Sequence, residues 1–240
     1  MHPGGIGLTK ELAKRIEIVK ESNVLDVACG LGTSAISIAK NFHCHITGID
    51  LSEKNIDEAE RISIAQGVSE ITKFIIGDAE NVVDLFKQEI FDCSICECSF
   101  CLFEDKKRAA EELYKVTRKN GKIGISDIVV RNEIPLHLRD ALSRFLCVLE
   151  AKSEQEYKGY LKNAGFTNIH IYDKKHELLK LLDDIMKRMF AAELLQGLGK
   201  IDLHNSNSNI DLNKIKNIIK EVKYCVNSNT ISYVLIVGDK

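Results

Sequence analysis

The 240-residue sequence predicts an α/β fold in which a mostly parallel β-sheet is covered by helices on both faces. Short apolar, β-branched segments alternate with amphipathic segments of about 10 to 15 residues, which is the pattern of parallel sheets. The first strand ends in a small-residue turn, and a helical pattern begins directly after it. An alternating segment at residues 230–237 predicts one more strand after a helical excursion.

The first 130 residues contain five predicted strands and four predicted helices, after an irregular leader at residues 2–7. Thr9 is placed to cap the first helix, and either Thr33 or Ser34 the second. Ser52 is placed to cap the third helix, and Gly121 to end the fourth. The expected strands are residues 24–27, 45–50, 72–77, 91–97 and 122–130, and the expected helices are 9–20, from 33 or 34 onwards, 53–66 and 105–119.

The remaining 110 residues are richer in helix. Ser153 and Glu156 form a capping box for a helix that Gly165 ends, and a strand is expected at 166–173. Further helices are expected at 136–150, 174–196 and 212–224, with a polar loop at 204–209. We therefore expect a single domain over residues 1–240, with helical insertions at about 131–160 and 174–229 that help to form a ligand pocket.

Composition narrows the function classes. Hydrophobic residues make up 45% of the chain and charged residues 28%, as in soluble globular proteins. A net charge of -2 argues against a nucleic-acid partner, and no apolar run reaches the roughly 20 residues of a membrane span. Eight cysteines without the apolar core of a signal peptide predict free thiols in the cytoplasm. Composition leaves the oligomeric state open.

Four candidate ligand-binding features follow the predicted strands. They are the turn at residues 28–32, Asp50, Asp78, and the pair Glu97 and Cys98. Residues after the carboxyl ends of parallel strands share one crevice, where ligands of open α/β folds bind. An acidic residue about twenty positions after a glycine turn accepts from ribose hydroxyls, and Asp50 has that position. Asp78 is placed to accept from the exocyclic amine of adenine.

A dinucleotide-dependent dehydrogenase is one alternative, because Ala35 completes a permitted variant of its glycine fingerprint. The chain has no Tyr-x-x-x-Lys motif, which argues against that alternative.

The segments VLDVACGLG, GIDLS, IIGDAE and FDCSICECSF, in that order, resemble the class I S-adenosylmethionine-dependent methyltransferases over nearly the whole chain. This resemblance implies a Rossmann-like, seven-stranded sheet with the last strand antiparallel, and S-adenosylmethionine as cofactor. It implies that Asp26 and the Gly30/Gly32 turn contact the amino-acid part of the cofactor, that Asp50 holds the ribose, and that Asp78 and Ala79 flank the adenine. The candidate cofactor-binding residues are Asp26, Ala28, Cys29, Gly30, Gly32, Asp50, Leu51, Asn55, Asp78, Ala79 and Glu97. Ala28 replaces the family's usual glycine, which we expect to be tolerated through a negative φ angle.

Cys93, Cys96, Cys98 and Cys101 form a C-x2-C-x-C-x2-C pattern, for which a metal site is the first hypothesis. Cys93 and Cys96 lie three residues apart in a predicted strand, so their side chains point to opposite faces. We therefore expect buried, apolar cysteines there and no resident metal.

Cys98 and Cys147 are different, because residues 97–130 and 147–166 resemble the arsenite methyltransferases within this superfamily. The resemblance implies that these two thiolates hold trivalent arsenic, a soft ligand pairing. Two departures are the absence of a cysteine before Cys29 and a segment at 174–229 in place of a cysteine-bearing tail, although Cys225 lies within it. The alternative is two ordinary buried cysteines.

The sequence thus predicts direct methyl transfer to a small-molecule acceptor, with Cys98, Cys147 and Glu97 as candidate catalytic residues. Glu97 is placed either to orient the methionine end of the cofactor or a substrate amine, or to act as a base for O- or N-methyl transfer. His2 and His137 are further candidate proton acceptors. The open alternatives are an O-, N- or C-methyltransferase of an organic metabolite, a non-catalytic cofactor-binding module, and a cysteine-based metal-binding protein.

Overall fold

The computed structural model describes residues 2–139, 148–198 and 212–240. They form one seven-stranded sheet in the order β3-β2-β1-β4-β5-β7-β6, in which β7 runs antiparallel to β5 and β6. The strands are β1 (Asn23–Val27), β2 (His45–Asp50), β3 (Thr72–Ile76), β4 (Phe91–Glu97), β5 (Thr117–Val130), β6 (Thr167–Asp173) and β7 (Ile231–Asp239). The predicted fold, including its antiparallel last strand, is confirmed.

Seven α-helices cover the two faces of the sheet in the described part of the chain. They are α1 (Gly5–Arg15), α2 (Thr33–Phe42), α3 (Glu53–Ala65), α4 (Lys106–Val116), α5 (Glu154–Ala164), α6 (Lys175–Gly197) and α7 (Leu212–Asn227). Residues 136–139 are also helical. Short 3-10 turns follow β3 and β4 at Ala79–Asp84 and Phe100–Leu102, and a third lies at Val148–Glu150. The polar loop expected at 204–209 lies outside the described residues.

The core formed by the described residues consists of two apolar clusters, one on each face of the sheet. The first packs beneath α1, α2, α3, α6 and α7 and contains Leu12 and Cys93. The second packs beneath α4 and α5 and contains Leu113 and Cys96. Cys93 and Cys96 therefore point to opposite faces, as their spacing in β4 predicts. None of the described helices is long and apolar enough to span a membrane.

Helix α1 begins at Gly5, and the prediction that it starts at a Thr9 cap is wrong. Gly4 takes a left-handed conformation (φ 76°) that starts the helix four residues earlier, and Thr9 is fully buried inside it. The helix is joined to the rest of the fold near its end. Lys174 Nζ lies 2.8 Å from a Glu11 carboxylate oxygen, and the Arg15 guanidinium lies 3.6 Å from the centre of the Tyr172 ring.

Two other predicted helix ends are also wrong. Helix α2 has Gly32 as its N-cap, with no capping side chain from Thr33 or Ser34. Helix α4 ends at Val116, and β5 begins at the next residue, so Gly121 lies within a strand. A Cβ atom at Gly121 would lie 2.7 Å from the Asp92 carbonyl oxygen, so close packing in the sheet, not a helix end, requires glycine there.

The order of the strands places the candidate site. β1 lies between β2 and β4, and all three are parallel. The chain continues from β1 to β2 and β3 on one side of β1 and then crosses to β4 on the other side, and this reversal opens a crevice beyond the carboxyl ends of β1 and β4. The turn at residues 28–32, Asp50, and Glu97 with Cys98 all lie at this edge.

Candidate functional site

The glycine turn, residues 28–32, joins β1 to α2 through three left-handed residues. The φ angles are 54° at Ala28, 54° at Gly30 and 70° at Gly32. The expected negative φ at Ala28 is therefore wrong: the chain reverses so tightly after β1 that the position needs a conformation costing an L-residue about 1–2 kcal/mol. Such strain is found at functional turns held by their surroundings, and here Cys29 N donates to the Ile49 carbonyl over 2.9 Å.

Asp50, at the end of β2, is tied to this turn. Its Oδ2 accepts from Gly30 N over 2.9 Å, and its Oδ1 accepts from Ser52 N and from Asn55 Nδ2, each over 3.0 Å. Ser52 caps α3, as the sequence predicts. The carboxylate therefore has one orientation, facing the crevice between the glycine turn and β3. Leu51 beside it is 74% exposed, an apolar side chain left at the mouth of the crevice.

Asp78 follows β3 and is also held locally. Its Oδ1 accepts from Glu80 N over 2.9 Å and its Oδ2 from Asn81 Nδ2 over 2.7 Å. Asp50, Leu51, Asn55, Asp78 and Ala79 line one cavity of about 650 Å³, which we call the β2–β3 cavity. The turn residues Ala28 and Gly30 also line it.

A second cavity of about 630 Å³, the β1–β4 cavity, lies on the other side of the glycine turn. The predicted residues Asp26, Ala28, Cys29, Gly30, Glu97 and Cys98 line it, together with His2, Gly5 and Ile6. Both cavities share Ala28, Gly30 and Ser99, so they join at the turn. Gly32 lines neither cavity: a Cβ atom there would lie 2.8 Å from the Phe74 ring.

Asp26, in β1, carries a buried oxygen with an unmet hydrogen-bonding capacity. The residue is 2% exposed, and its Oδ2 is the one buried side-chain polar atom in the described residues without a hydrogen-bond partner. Burial, followed by the charges of Glu97 and Asp50, raises the pKa of Asp26 well above its ordinary value. A positively charged ligand group at this wall of the cavity would satisfy that oxygen and favour the ionised form.

Glu97, at the end of β4, is held from two sides. Thr9 Oγ1 donates to its Oε2 over 2.9 Å, and Ser126 Oγ donates to its Oε1 over 3.2 Å. Ser126 is in turn 3.1 Å from the hydroxyl of buried Tyr233. His2 Nε2 lies 3.7 Å from Glu97 Oε2. This network connects α1, β4, β5 and β7 behind the cavity wall.

Cys98 is placed at the cavity wall by an unusual backbone. Its φ is 57°, and its N–H donates to the Ser126 carbonyl over 2.6 Å. The residue is partly buried and contacts the first apolar cluster. Cys147, the second thiol of the predicted pair, lies outside the described residues. Whether the two sulfurs converge therefore stays a prediction.

The remaining cysteines lie away from the crevice or within the core. Burial raises the pKa of Cys93 to about 12, and it raises the pKa of fully buried Cys96 well above the ordinary value. Cys101 is 1% exposed, and its N–H donates to buried Asp127 over 2.8 Å. Among the residues described, no three His, Cys, Asp or Glu side chains are grouped closely enough to hold a metal ion.

Several residues of the site were not identified from the sequence as its members. Thr9 was assigned to a helix cap, whereas its hydroxyl contacts Glu97 across 88 positions of chain. Ser126 and Ser99 carry no motif that marks them. Asp127 is fully buried and holds the segment after β4 through the Cys101 N–H; burial raises its pKa to about 6. The sequence does give one sign of a special role for Asp127, because it is an acidic residue within an otherwise apolar strand segment.

Comparisons with known proteins all indicate the same family. The family described as methyltransferase domain matches residues 18–165. An uncharacterized protein of Haemophilus influenzae is 30% identical over 182 residues, which cover 75% of this chain and 72% of that one. The O-methyltransferase resE of Aspergillus sclerotiorum is 26% identical over 192 residues, covering 78% of this chain and 70% of that one.

Among solved structures, a Haemonchus contortus phosphoethanolamine N-methyltransferase 2 is similar over 100% of this chain, with a TM-score of 0.82 and 16% sequence identity. It was solved with phosphomonomethylethanolamine and S-adenosylhomocysteine. The chain spans 53% of that protein, about half its length. At this identity, the likeness concerns the fold.

Proposed function

This chain belongs to the methyltransferase domain family and is a class I S-adenosylmethionine-dependent methyltransferase, and we propose that it methylates a small-molecule acceptor bound in the β1–β4 cavity. The proposed arrangement puts adenosine in the β2–β3 cavity and the methionine end beside the glycine turn. The methyl group would then face the part of the β1–β4 cavity that His2, Ile6 and Cys98 line.

The unpartnered Asp26 Oδ2 is the observation that carries this proposal. A buried carboxylate oxygen without a donor is costly, and a ligand ammonium group would supply both a hydrogen bond and the opposite charge. S-adenosylmethionine carries such a group on its amino-acid end. The residues present therefore fit the cofactor where the family resemblance expects it.

Asp50 and Asp78 suit the nucleoside end. Each carboxylate accepts two or three hydrogen bonds from its own surroundings, which fix its direction before a ligand arrives. A carboxylate has about four lone-pair sites, so capacity remains at Asp50 for ribose hydroxyls and at Asp78 for an adenine amine. Such preorganisation lowers the entropic cost of binding.

The chain's contribution to the reaction is placement and exclusion of water. Bound S-adenosylmethionine supplies a methyl group on a sulfonium, whose sulfur departs as a neutral thioether. Alignment of the acceptor with that methyl group replaces a bimolecular encounter and accounts for much of the expected acceleration. Glu97, held by Thr9 and Ser126, fixes a negative charge beside the acceptor end of the cavity.

Calorimetric titration with S-adenosylhomocysteine tests the site directly. Asp50→Ala and Asp26→Asn should each weaken binding at least tenfold, the effect of losing a hydrogen bond to a charged group of about 1.5–3 kcal/mol. Asp57→Ala is the matched control, because Asp57 is an exposed carboxylate on α3 that lines neither cavity. Unchanged affinity in both site variants would mean that the cofactor binds elsewhere.

A thiol-bound metalloid such as arsenite is a second candidate acceptor, favoured by the position of Cys98 in the cavity wall. Cys147, which the proposal pairs with it, lies outside the described residues, and the relatives reported above carry no metalloid in their names. The assay is methylated arsenic formed from arsenite, S-adenosylmethionine and a thiol reductant. Equal rates for the wild type and for Cys98→Ser and Cys147→Ser would exclude binding of the acceptor by these thiols, and no methylated arsenic from the wild type would exclude arsenite as the acceptor.

The cytoplasmic location and the lack of a nucleic-acid partner remain part of the proposal. None of the seven described cysteines forms a disulfide, and the net charge is -2. Both facts agree with an enzyme of small metabolites in a reducing compartment. Fractionation of cells that express the protein, followed by immunoblotting, tests the location.

A further inference from the structure

Among the described residues, the charged and titratable groups that line the two cavities are acidic, apart from His2 and cysteine thiols. Asp26 and Glu97 line the β1–β4 cavity, and Asp50, Asp78, Glu80 and Glu104 line the β2–β3 cavity. No lysine or arginine lines either cavity within the described ranges 2–139, 148–198 and 212–240. This field attracts a cation and repels a phosphate group.

His2 has a defined hydrogen-bonding pattern at the edge of the β1–β4 cavity. Its Nδ1 lies 3.0 Å from the Pro3 carbonyl oxygen. A carbonyl oxygen can only accept, so Nδ1 must carry the hydrogen. The neutral ring therefore presents an unprotonated Nε2, which is 3.2 Å from Thr9 Oγ1. The side chain remains 14% exposed, at the cavity.

Two oxygen atoms lie close to Nε2, the Thr9 hydroxyl oxygen and a Glu97 carboxylate oxygen. Thr9 has one hydroxyl hydrogen, and it donates this to Glu97 Oε2 over 2.9 Å. The Thr9 oxygen is then left to accept a hydrogen from Nε2. Glu97 Oε2, only 3.7 Å from Nε2, adds an opposite charge. A hydrogen on Nε2 would therefore have both an acceptor oxygen and an opposite charge beside it.

We propose that the acceptor is an amine without a phosphate group, and that His2 is the catalytic base that takes a proton from its ammonium form. This inference rests on the proposed function. The proton passes from the ammonium group to His2 Nε2 and exposes the nitrogen lone pair. That lone pair forms the new nitrogen–carbon bond as the methyl–sulfur bond breaks, with its electron pair left on sulfur.

The charge balance of this reaction suits Glu97. Positive charge moves from sulfur to the methylated nitrogen, and a second positive charge moves from the acceptor to His2. A fixed carboxylate beside both groups stabilises them without reorganisation during the reaction. The Haemonchus enzyme was solved with the phosphorylated amine phosphomonomethylethanolamine. For this chain, the acidic cavity predicts that the phosphorylated form of an amine is the poorer acceptor.

The His2 tautomer can be measured without any acceptor. Long-range proton–nitrogen spectra of ¹⁵N-histidine-labelled protein identify which ring nitrogen carries hydrogen, with His2→Gln to assign the signal. We expect the Nδ1–H tautomer at alkaline pH, both with and without S-adenosylhomocysteine. The Nε2–H tautomer would overturn the proposal, because that nitrogen could not then accept a proton.

Turnover tests the acceptor class. The probes are ethanolamine, n-butylamine and benzylamine, the corresponding alcohols, and phosphoethanolamine, with methylated products identified by mass spectrometry. Methylation of an amine in preference to its alcohol and to phosphoethanolamine supports the proposal. Methylation of only alcohols or phosphoethanolamine, or of none of the probes, overturns it. Calorimetric binding of S-adenosylhomocysteine reports separately on the proposed function, so the two failures can be told apart.

His2→Gln tests the base itself. We expect kcat to fall about 10²–10⁴-fold near neutral pH with an unchanged KM for S-adenosylmethionine. The difference in kcat between the wild type and His2→Gln should decrease as the pH rises, because the amine then loses its proton without a catalytic base. His170→Gln, at an exposed position on β6, is the matched control and should behave as wild type. A His2→Gln enzyme with the wild-type rate and pH profile would refute the assignment.

Discussion

Gly30→Ala should separate cofactor binding from folding. Gly30 has a φ of 54°, and a Cβ atom added to it would meet no protein atom within 4 Å. The position nevertheless lines both cavities, and its N–H donates to Asp50. The added methyl group would therefore project into space that we assign to the cofactor.

The stability cost of this change is small. A left-handed conformation costs an L-residue about 1–2 kcal/mol. Replacing glycine by alanine also lowers the conformational entropy of the unfolded chain, which stabilises the folded protein by about 0.4–1 kcal/mol. The free energy of unfolding should therefore fall by about 1 kcal/mol, or roughly 2–4 °C in Tm for a chain of this size. Affinity for S-adenosylhomocysteine should fall at least tenfold, which calorimetry measures.

Gly32→Ala is the matched comparison. Its φ is 70°, and the new Cβ atom would lie 2.8 Å from the Phe74 ring and 3.0 Å from Ala59 Cβ. Overpacking adds about 1–3 kcal/mol to the same conformational cost, so the Tm should fall further than in Gly30→Ala. If Gly30→Ala binds S-adenosylhomocysteine with wild-type affinity, or loses more stability than Gly32→Ala, the reasoning about this turn is wrong.

Three further predictions follow from the same region. Ala28→Gly removes left-handed strain of about 1–2 kcal/mol and adds unfolded-state entropy of about 0.4–1 kcal/mol, so thermal unfolding should show an equal or higher Tm; a clear fall would contradict the strain. Because burial raises the pKa of Asp26 above the ordinary aspartate range and only its ionised form pairs with an ammonium group, wild-type affinity for S-adenosylhomocysteine should rise with pH as long as the pH stays below the α-amino pKa of about 7.7–8.0. Asp26→Asn should flatten that calorimetric profile, and an unchanged slope would count against the pairing. When the native proteins are titrated with a disulfide reagent, Cys98→Ser should show one fast-reacting thiol fewer than the wild type, whereas Cys96→Ser should show the same number, because Cys96 is fully buried. The reverse result would mean that Cys98 is inaccessible.

The parts of the fold that follow from local patterns were predictable from sequence. β2 and β4 have the predicted bounds, and Ser52 and Ser153 cap their helices as expected. The acidic residues at strand ends meet because parallel strands place their carboxyl ends at one edge. These features depend on side-chain periodicity and capping chemistry, which short segments of sequence carry.

Features that depend on distant partners were not predictable in this way. The left-handed conformation of Ala28 results from the tight reversal of the chain after β1, and no single residue in the sequence predicts that reversal. The early start of α1 depends on Gly4, and its position over the crevice is secured by the Lys174–Glu11 ion pair. The contact between Thr9 and Glu97 joins residues 88 positions apart, so neither residue's neighbours in sequence indicate it.

The central claim is that the joined cavities bind S-adenosylmethionine with its amino group on Asp26. A crystal structure of the S-adenosylhomocysteine complex tests it most directly, through the distance from the ligand's amino nitrogen to Asp26 Oδ2. We expect about 2.7–3.2 Å, with the ribose hydroxyls on Asp50. A ligand bound elsewhere, with Asp26 Oδ2 still lacking a partner, would contradict the account.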